Sequence, residues 1–173
     1  TTLRFTSPVF HGKENSELGW VLMTIIEYGD EKILFAPDVQ GPICEDTLRM
    51  ILNESASLAI IGGPPLYLAD FRISPEVIEY ALRNLIILSK HIPMIILDHH
   101  LLRRIDWREK LQSVFDASSN IGHRIVTAAE YAGKPNELLE AKRKILYETE
   151  PPSREFMRWT RIHPRRRKLV PPP

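Results

Sequence analysis

MIILDHH (Met94–His100) is a run of four apolar residues that ends on one aspartate and two histidines. A short, wholly apolar run of this kind predicts a strand that is covered on both faces, as in a parallel sheet. Open α/β sheets place their chemistry at the carboxyl ends of such strands, and carboxylate and imidazole are good metal ligands. The stretch therefore predicts an α/β sheet with a candidate site at its edge.

The segments around this strand predict an α/β layered domain, with strands first and then alternating strands and helices. LRFTSPVFH predicts a strand that is broken at Pro8 and ends on His11. GWVLMTIIEYG predicts a second strand, which forms an antiparallel hairpin with KILFAP through Gly29 and Asp30. SLAIIGG predicts another strand covered on both faces. Helices are predicted for CEDTLRMILNES, for SPEVIEYALRNLIILSKH with Ser74 as N-cap, for DWREKLQSVFDASS, and for PNELLEAKRKILYETE capped through Pro135 and Asn136.

Length and composition predict one soluble globular core. The chain has 173 residues, of which 43% are hydrophobic and 26% charged. Its apolar runs are interrupted too often to predict a membrane span, and the lone Cys44 excludes a disulfide framework. The start at TTLRF, with neither Met nor a signal segment, predicts an interior fragment or a processed chain. A cytoplasmic location is the simplest interpretation.

The charge distribution divides the chain into residues 1–150, a compact domain, and residues 151–173, a basic, proline-rich tail. The tail holds seven Lys or Arg against the single acid Glu155, and it predicts an extended segment. Residues 154–168 could bind nucleic acid, with basic side chains on phosphates and Trp159 or His163 stacked on a base. The alternative is a solvated tail that aids solubility.

Three predicted strand ends carry potential metal ligands. These are His11 after SPVF, Asp38 after ILFAP, and Asp98, His99 and His100 after MIIL. The set suits zinc, iron or manganese, and the glycines of LAIIGGPP would let the backbone pass close to such a site. We predict that the three ends lie side by side in one sheet. The simpler alternatives are a turn role for His11 and a capping role for Asp98.

Several stretches together resemble the C-terminal half of an uncharacterised archaeal branch of the metallo-β-lactamase superfamily. They are VFHGKENSELGWVLMTI, ILFAPDVQGP, LAIIGGPPLYL, ILDHHLLR and TAAEYAGKPNELLEAKRKILYE. The resemblance implies half of a four-layer αββα sandwich with one sheet flanked by helices, and one or two divalent metal ions, zinc before manganese or iron. It places His11 on the first metal, gives Asp38 the bridging and catalytic role, and places His99 on the second metal with His100 as the alternative.

The family's first-half signature, His-x-His-x-Asp-His, does not occur in this sequence. The resemblance therefore implies that this chain holds half a site and is inactive alone. It also implies a partner, which is either the N-terminal half from the same gene or a separate chain, or a second copy of this chain. A lone half would leave one sheet face uncovered, beyond the apolar area that soluble monomers usually expose.

Three functions follow from these patterns. The first is a metal-dependent hydrolase of the metallo-β-lactamase type, or its C-terminal half, acting on a phosphoester, a lactone or a thioester. The second is a non-catalytic nucleic-acid or protein-binding module that uses the basic tail. The third is a phosphoesterase of the Asp-His-His type, although the early Asp-x-Asp pair of that family does not occur here.

Overall fold

The computed structural model describes residues 1–69 and 72–173 and divides into two compact units, Thr1–Leu138 and Leu139–Pro173. The first unit is an α/β unit with eight strands in its described residues. In chain order they are β1 (Thr2–Phe5), β2 (Val9–Phe10), β3 (Trp20–Val21), β4 (Thr24–Tyr28), β5 (Glu31–Ala36), β6 (Leu58–Gly62), β7 (Met94–Asp98) and β8 (Arg124–Val126).

Six strands form one mixed sheet in the order β1-β4-β5-β6-β7-β8, and β2 pairs with β3 in a separate two-stranded sheet. β1, β4 and β5 are antiparallel, while β5, β6, β7 and β8 are parallel. The predicted hairpin of β4 and β5 is confirmed. Its turn contains Gly29 with a positive φ of 57°, a conformation that glycine adopts without strain.

The parallel strands are connected by helices, as parallel pairs require. The helices of the first unit are α1 (Glu45–Glu54), α2 (Pro75–His91), α3 (Trp107–Lys110), α4 (Gln112–Ser119) and α5 (Ala128–Tyr131), with short 3-10 helices at Leu66–Leu68 and His99–Arg103. The predicted start of α2 is confirmed, with Ser74 at the N-cap and Pro75 in the first turn. No helix in the described residues is long and apolar enough to cross a membrane.

One face of the six-stranded sheet packs against helices and forms the core. Ile25, Leu34, Ile61 and Leu97 point to this face from four strands and are fully buried. The helices contribute apolar side chains to the same cluster, namely Leu48, Ile51, Leu85, Leu88 and Val114. This burial of apolar surface is the main stabilising contribution to the unit.

The opposite face of β1, β4 and β5 is apolar and exposed. The strand register places Leu3 opposite Ile26, and Phe5 and Phe35 opposite the same threonine of β4. Leu3 and Phe5 are 60% and 59% exposed, and Tyr28 is 72% exposed. The prediction that β6 is covered on both faces holds only in part, because Ala59 and Ile61 are buried on one face while Leu58 and Ile60 are half-buried on the other.

Some predicted elements are shorter than expected. The predicted break of LRFTSPVFH at Pro8 is confirmed, with β1 before it and β2 after it, because proline restricts the residue before it and lacks an N–H donor. GWVLMTIIEYG is divided between β3 and β4, as the chain passes from the small sheet to the large one. The helix predicted over DWREKLQSVFDASS is divided at Leu111 into α3 and α4. β8 and α5 were not predicted.

The helix predicted from Pro135 begins later, as α6 (Arg143–Thr149). Leu138 has a φ of 50°, which ends any helix there, and the Asn136 side chain bonds Thr127 and Glu130 instead of capping α6. The second unit also contains α7 (Arg154–Thr160) and α8 (Pro164–Arg167). The prediction of an extended tail is therefore wrong.

Candidate metal centre

The candidate centre lies at the carboxyl ends of β5, β6 and β7. Asp38 follows β5 by two residues, and His99 and His100 directly follow β7. β6 lies between these strands. Since neighbouring strands are about 4.8 Å apart, the ends of β5 and β7 are separated by roughly 10 Å. The side chains of Asp38 and His100 can meet only above the end of β6.

Gly62 and Gly63 at the end of β6 leave the space for this meeting. An added Cβ at Gly62 would lie 2.7 Å from the backbone nitrogen of Asp38. At Gly63 it would lie 2.0 Å from Cδ2 of Leu101, the residue after His100. A side chain at Gly62 would displace the backbone at Asp38, and one at Gly63 would displace the Leu101 side chain. The prediction that these glycines let the backbone pass close to the site is confirmed.

His11 reaches the centre from the small sheet. It follows β2, and its backbone N–H donates to the carbonyl of Gly19 across a loop. The side chain of Gln40 packs over Gly12, where an added Cβ would lie 2.3 Å from the Gln40 Oε1 atom. The prediction that all three strand ends share one sheet is therefore wrong for His11, because the chain changes sheet after Pro8.

The side chains nevertheless converge on Asp38. Its Oδ1 atom lies 3.4 Å from His100 Nε2, 3.8 Å from His99 Nε2 and 4.0 Å from His11 Nε2. One ligand atom from each of His11, Asp38 and His100 falls in a group within 4.8 Å. His99 lies outside this group. Two imidazole nitrogens and a carboxylate oxygen are a donor set that first-row divalent metals bind.

Three imidazole nitrogens in this centre are buried and have no hydrogen-bond partner among the described residues. They are Nε2 of His11 and both Nδ1 and Nε2 of His100. A buried polar atom without a partner is costly, so native structures almost always satisfy it. His99 differs, since its side chain is 53% exposed. The buried nitrogens favour His100 over His99 as the partner of His11 and Asp38.

Backbone conformation explains why adjacent histidines face different surroundings. Asp98 caps the 3-10 helix, since its Oδ1 accepts a hydrogen bond of 2.7 Å from the His99 N–H. His99 then takes a left-handed φ of 70°. The strand ends at this point, and the turn directs His100 inward. The predicted capping role of Asp98 is confirmed.

The pKa of His100 is lowered from 6.5 to about 4. Burial is the largest cause, and the nearby His99 and Arg103 act in the same direction, while Asp38 opposes them. Burial disfavours the charged imidazolium, because the charge loses its hydration. His100 is therefore neutral at pH 7, which is the form that binds metals.

Tyr67 and Arg103 complete one wall of the centre. The Tyr67 ring stacks on His100 with centroids 6.2 Å apart, and the Arg103 guanidinium lies 4.9 Å from the Tyr67 ring centroid. Sequence reasoning missed both residues. They come from the two 3-10 helices, and no local pattern indicates that these helices meet. The remaining histidines of this unit have structural roles, since His91 and His123 each bond a backbone carbonyl.

Phe156 and Trp159 of the second unit make contacts within that unit. The indole N–H of Trp159 donates to the carbonyl of Val170, and the Arg167 guanidinium lies 5.6 Å from the Trp159 ring centroid. Phe156 stacks on the same ring. Nucleic-acid binding by residues 154–168 stays a prediction, and any stacking of a base on Trp159 would first have to displace these contacts.

Comparison with known proteins identifies similar sequences. The chain is 36% identical over 158 residues to a UPF0282 protein of Korarchaeum cryptofilum, covering 91% of this chain and 53% of that protein. It is 43% identical over 143 residues to one from Methanopyrus kandleri, covering 83% and 47%. A third, from Aeropyrum pernix, is 38% identical over 154 residues, covering 86% and 52%.

The chain thus spans about half the length of these relatives. The predicted similarity to uncharacterised archaeal proteins is confirmed. No protein-family model matches the chain, and no solved structure matches it.

Proposed function

We propose that this chain is the C-terminal half of a metal-dependent hydrolase of the metallo-β-lactamase type, which acts on an ester or a phosphoester. The observation that carries the proposal is the grouping of His11, Asp38 and His100 within 4.8 Å. Nε2 of His11 and both ring nitrogens of His100 are buried and unpartnered among the described residues. The position at the carboxyl ends of parallel strands adds support, because open α/β sheets place their sites there.

The donor set fits a divalent ion of the zinc class, with manganese and iron as alternatives. His11 would hold the ion through Nε2, Asp38 through Oδ1, and His100 through one ring nitrogen. A bound ion of this class supplies Lewis acidity, which lowers the pKa of water at the site toward neutrality. Because Asp38 Oδ1 faces the histidines, we propose that its Oδ2 accepts a hydrogen bond from the attacking water and orients it.

The geometry favours His100 as the ligand and leaves His99 as the alternative. His100 is 10% exposed in its side chain and lies 3.4 Å from Asp38, while His99 is 53% exposed and lies 3.8 Å away. We propose that His99 lies at the solvent side of the centre, where it can contact the substrate or a second ion.

A site with three protein ligands from this chain needs completion. The relatives are about twice as long as the matched region, and the exposed face of β1, β4 and β5 is an apolar surface of the kind that soluble monomers cover. We propose that the remaining half of the protein, in the same or a separate chain, covers this face and adds ligands. A second copy of this chain is the alternative occupant.

Calorimetric titration with zinc tests the centre. The wild-type chain should bind one ion with modest affinity, and His11→Ala, Asp38→Asn and His100→Ala should each weaken binding by at least tenfold. His99→Ala should have a smaller effect. His91→Ala is the matched control, because it removes an imidazole that bonds a backbone carbonyl at the end of α2.

The same titration should be repeated with the remaining half of a relative added. We expect the affinity for zinc to rise sharply, since the added half would supply further ligands. Equal binding by wild type and His100→Ala, together with loss in His99→Ala, would reverse the assignment of the two histidines. Zinc binding that no substitution at these four positions changes would refute the centre.

A further inference from the structure

The positively charged side chain of Arg103 is held in place at the wall of the candidate centre. The Arg103 Nη1 atom donates a hydrogen bond of 2.6 Å to the Tyr67 hydroxyl, and the guanidinium also contacts the ring of that tyrosine. The Tyr67 ring lies nearly parallel to the His100 imidazole, with an angle of 18° between the planes. Arg103 is therefore held beside a proposed metal ligand by two contacts to one rigid side chain.

The positive charge of Arg103 has no acidic partner among residues 1–69 and 72–173. No carboxylate there lies within 4.0 Å of the guanidinium, and the Tyr67 hydroxyl is its one hydrogen-bond acceptor. The two following arginines of this region differ. Arg104 makes two bonds of 2.7 Å to Asp106, and Arg108 pairs with Glu130.

A half-buried arginine with unmatched donors is suited to bind an anion. The guanidinium presents five N–H donors in a planar fork, of which one is used here. This fork matches the oxygens of a phosphoryl group or a carboxylate with two parallel hydrogen bonds. Since a partly buried charge is costly without a counter-charge, the fold has placed Arg103 where an anion would offset that cost.

We propose that Arg103 binds the phosphoryl group of the substrate, and this proposal rests on the proposed hydrolase function. It distinguishes among the three substrate classes that the sequence leaves open. The reacting group of a phosphoester is negatively charged at neutral pH, whereas the reacting carbonyls of a lactone and a thioester are neutral. A fixed cation at this position would pair with a phosphoester already in the bound state, whereas a lactone or a thioester develops negative charge only during the reaction. Tyr67 acts as a positioning residue, because it fixes the guanidinium through its hydroxyl and ring.

Binding of inorganic phosphate to the 173-residue chain tests the proposal without requiring activity. Isothermal titration calorimetry should be performed on the metal-free chain in EDTA and on the cobalt-loaded chain. We expect Arg103→Gln to weaken phosphate binding by about 10- to 100-fold, the range for losing a hydrogen bond to a charged group. Arg103→Lys, which keeps the charge but not the fork, should lose less.

Arg83→Gln is the matched control. Arg83 also lies over a tyrosine ring, at 5.1 Å from the centroid of Tyr80, but on α2 and away from the centre. The Arg83→Gln variant should bind phosphate as the wild type does. Tyr67→Phe keeps the ring and removes the hydroxyl, so a loss smaller than that of Arg103→Gln is expected. Urea unfolding of each variant shows whether the fold is intact.

The outcomes separate this proposal from the hydrolase proposal. The role of Arg103 would be overturned if Arg103→Gln bound phosphate as the wild type does, both without metal and with cobalt. It would also be overturned if the wild-type chain bound no phosphate under either condition. Equal losses in Arg103→Gln and Arg83→Gln would also overturn it, because the effect would not be local. Cobalt absorbance measures the metal separately. Phosphate binding that depends on Arg103 in a chain that binds no cobalt would refute the metal centre while supporting the anion site.

Discussion

Acidification should destabilise the metal-free chain through His100, and the size of the effect follows from its surroundings. Burial lowers the pKa of this imidazole to about 4 in the folded chain, compared with 6.5 for an unperturbed histidine. The unfolded chain therefore takes up a proton near pH 6.5 that the folded chain resists until about pH 4. The contribution to stability is fully present above pH 6.5 and is lost as the pH falls from 6.5 toward 4.

The size of this loss of stability follows from the two pKa values of His100, in the folded and in the unfolded chain. Each unit of difference in pKa corresponds to about 1.4 kcal/mol. At pH 5.0 the folded chain is still neutral at His100, while the unfolded chain is almost fully protonated there. The free energy of unfolding should therefore fall by about 2 kcal/mol between pH 7.5 and 5.0 from this residue alone.

Urea unfolding in EDTA at these two pH values measures the effect, with His100→Gln as the test variant. Glutamine does not titrate in this range, so the variant should lose about 2 kcal/mol less than the wild type on acidification. Groups that do not interact with His100 contribute equally to both chains and cancel in the difference. His91→Gln, which removes an exposed imidazole, should lose stability as the wild type does. Equal losses in wild type and His100→Gln would refute the argument from burial.

Two further predictions concern β6 and the exposed sheet face. Gly62→Ala should lower the free energy of unfolding by about 1–3 kcal/mol and weaken zinc binding, because the new Cβ would displace Asp38; an unchanged urea midpoint would contradict this. The isolated chain should self-associate in sedimentation velocity experiments. The double variant Phe5→Thr, Tyr28→Thr should reduce that association, while the control Tyr80→Thr, on α2, should not. A wild-type chain that stays a stable monomer at low concentration would count against this prediction.

The elements that the sequence predicted well are those with strong local patterns. α2 has a helical period over 17 residues and a proline in its first turn, and β7 has an uninterrupted apolar run. β8 was missed because its three residues are too few to produce a period. The helix predicted from Pro135 was too long, since the left-handed backbone of Leu138 and the side-chain bonds of Asn136 interrupt a sequence of otherwise helical composition.

The candidate site was predictable to the extent that it lies at strand ends. His11, Asp38 and His100 were all recognised as candidates, because a polar ligand after an apolar run is visible in the sequence. The order of preference between His99 and His100 was not predictable from strand alternation, since a 3-10 turn with a positive φ at His99 replaces the strand there. Arg103 had no signal, because its position depends on how two short helices pack.

The three proposed ligands come from distant segments of the chain, since they follow the carboxyl ends of β2, β5 and β7. An ion bound by all three would act as a cross-link across most of the first unit, and the unfolded chain could not hold these groups together. Binding would then stabilise the whole unit by mass action, by about 2.7 kcal/mol when free ion exceeds its dissociation constant a hundredfold. Metal binding should therefore slow amide hydrogen exchange throughout the sheet, including in strands that do not contact the ion.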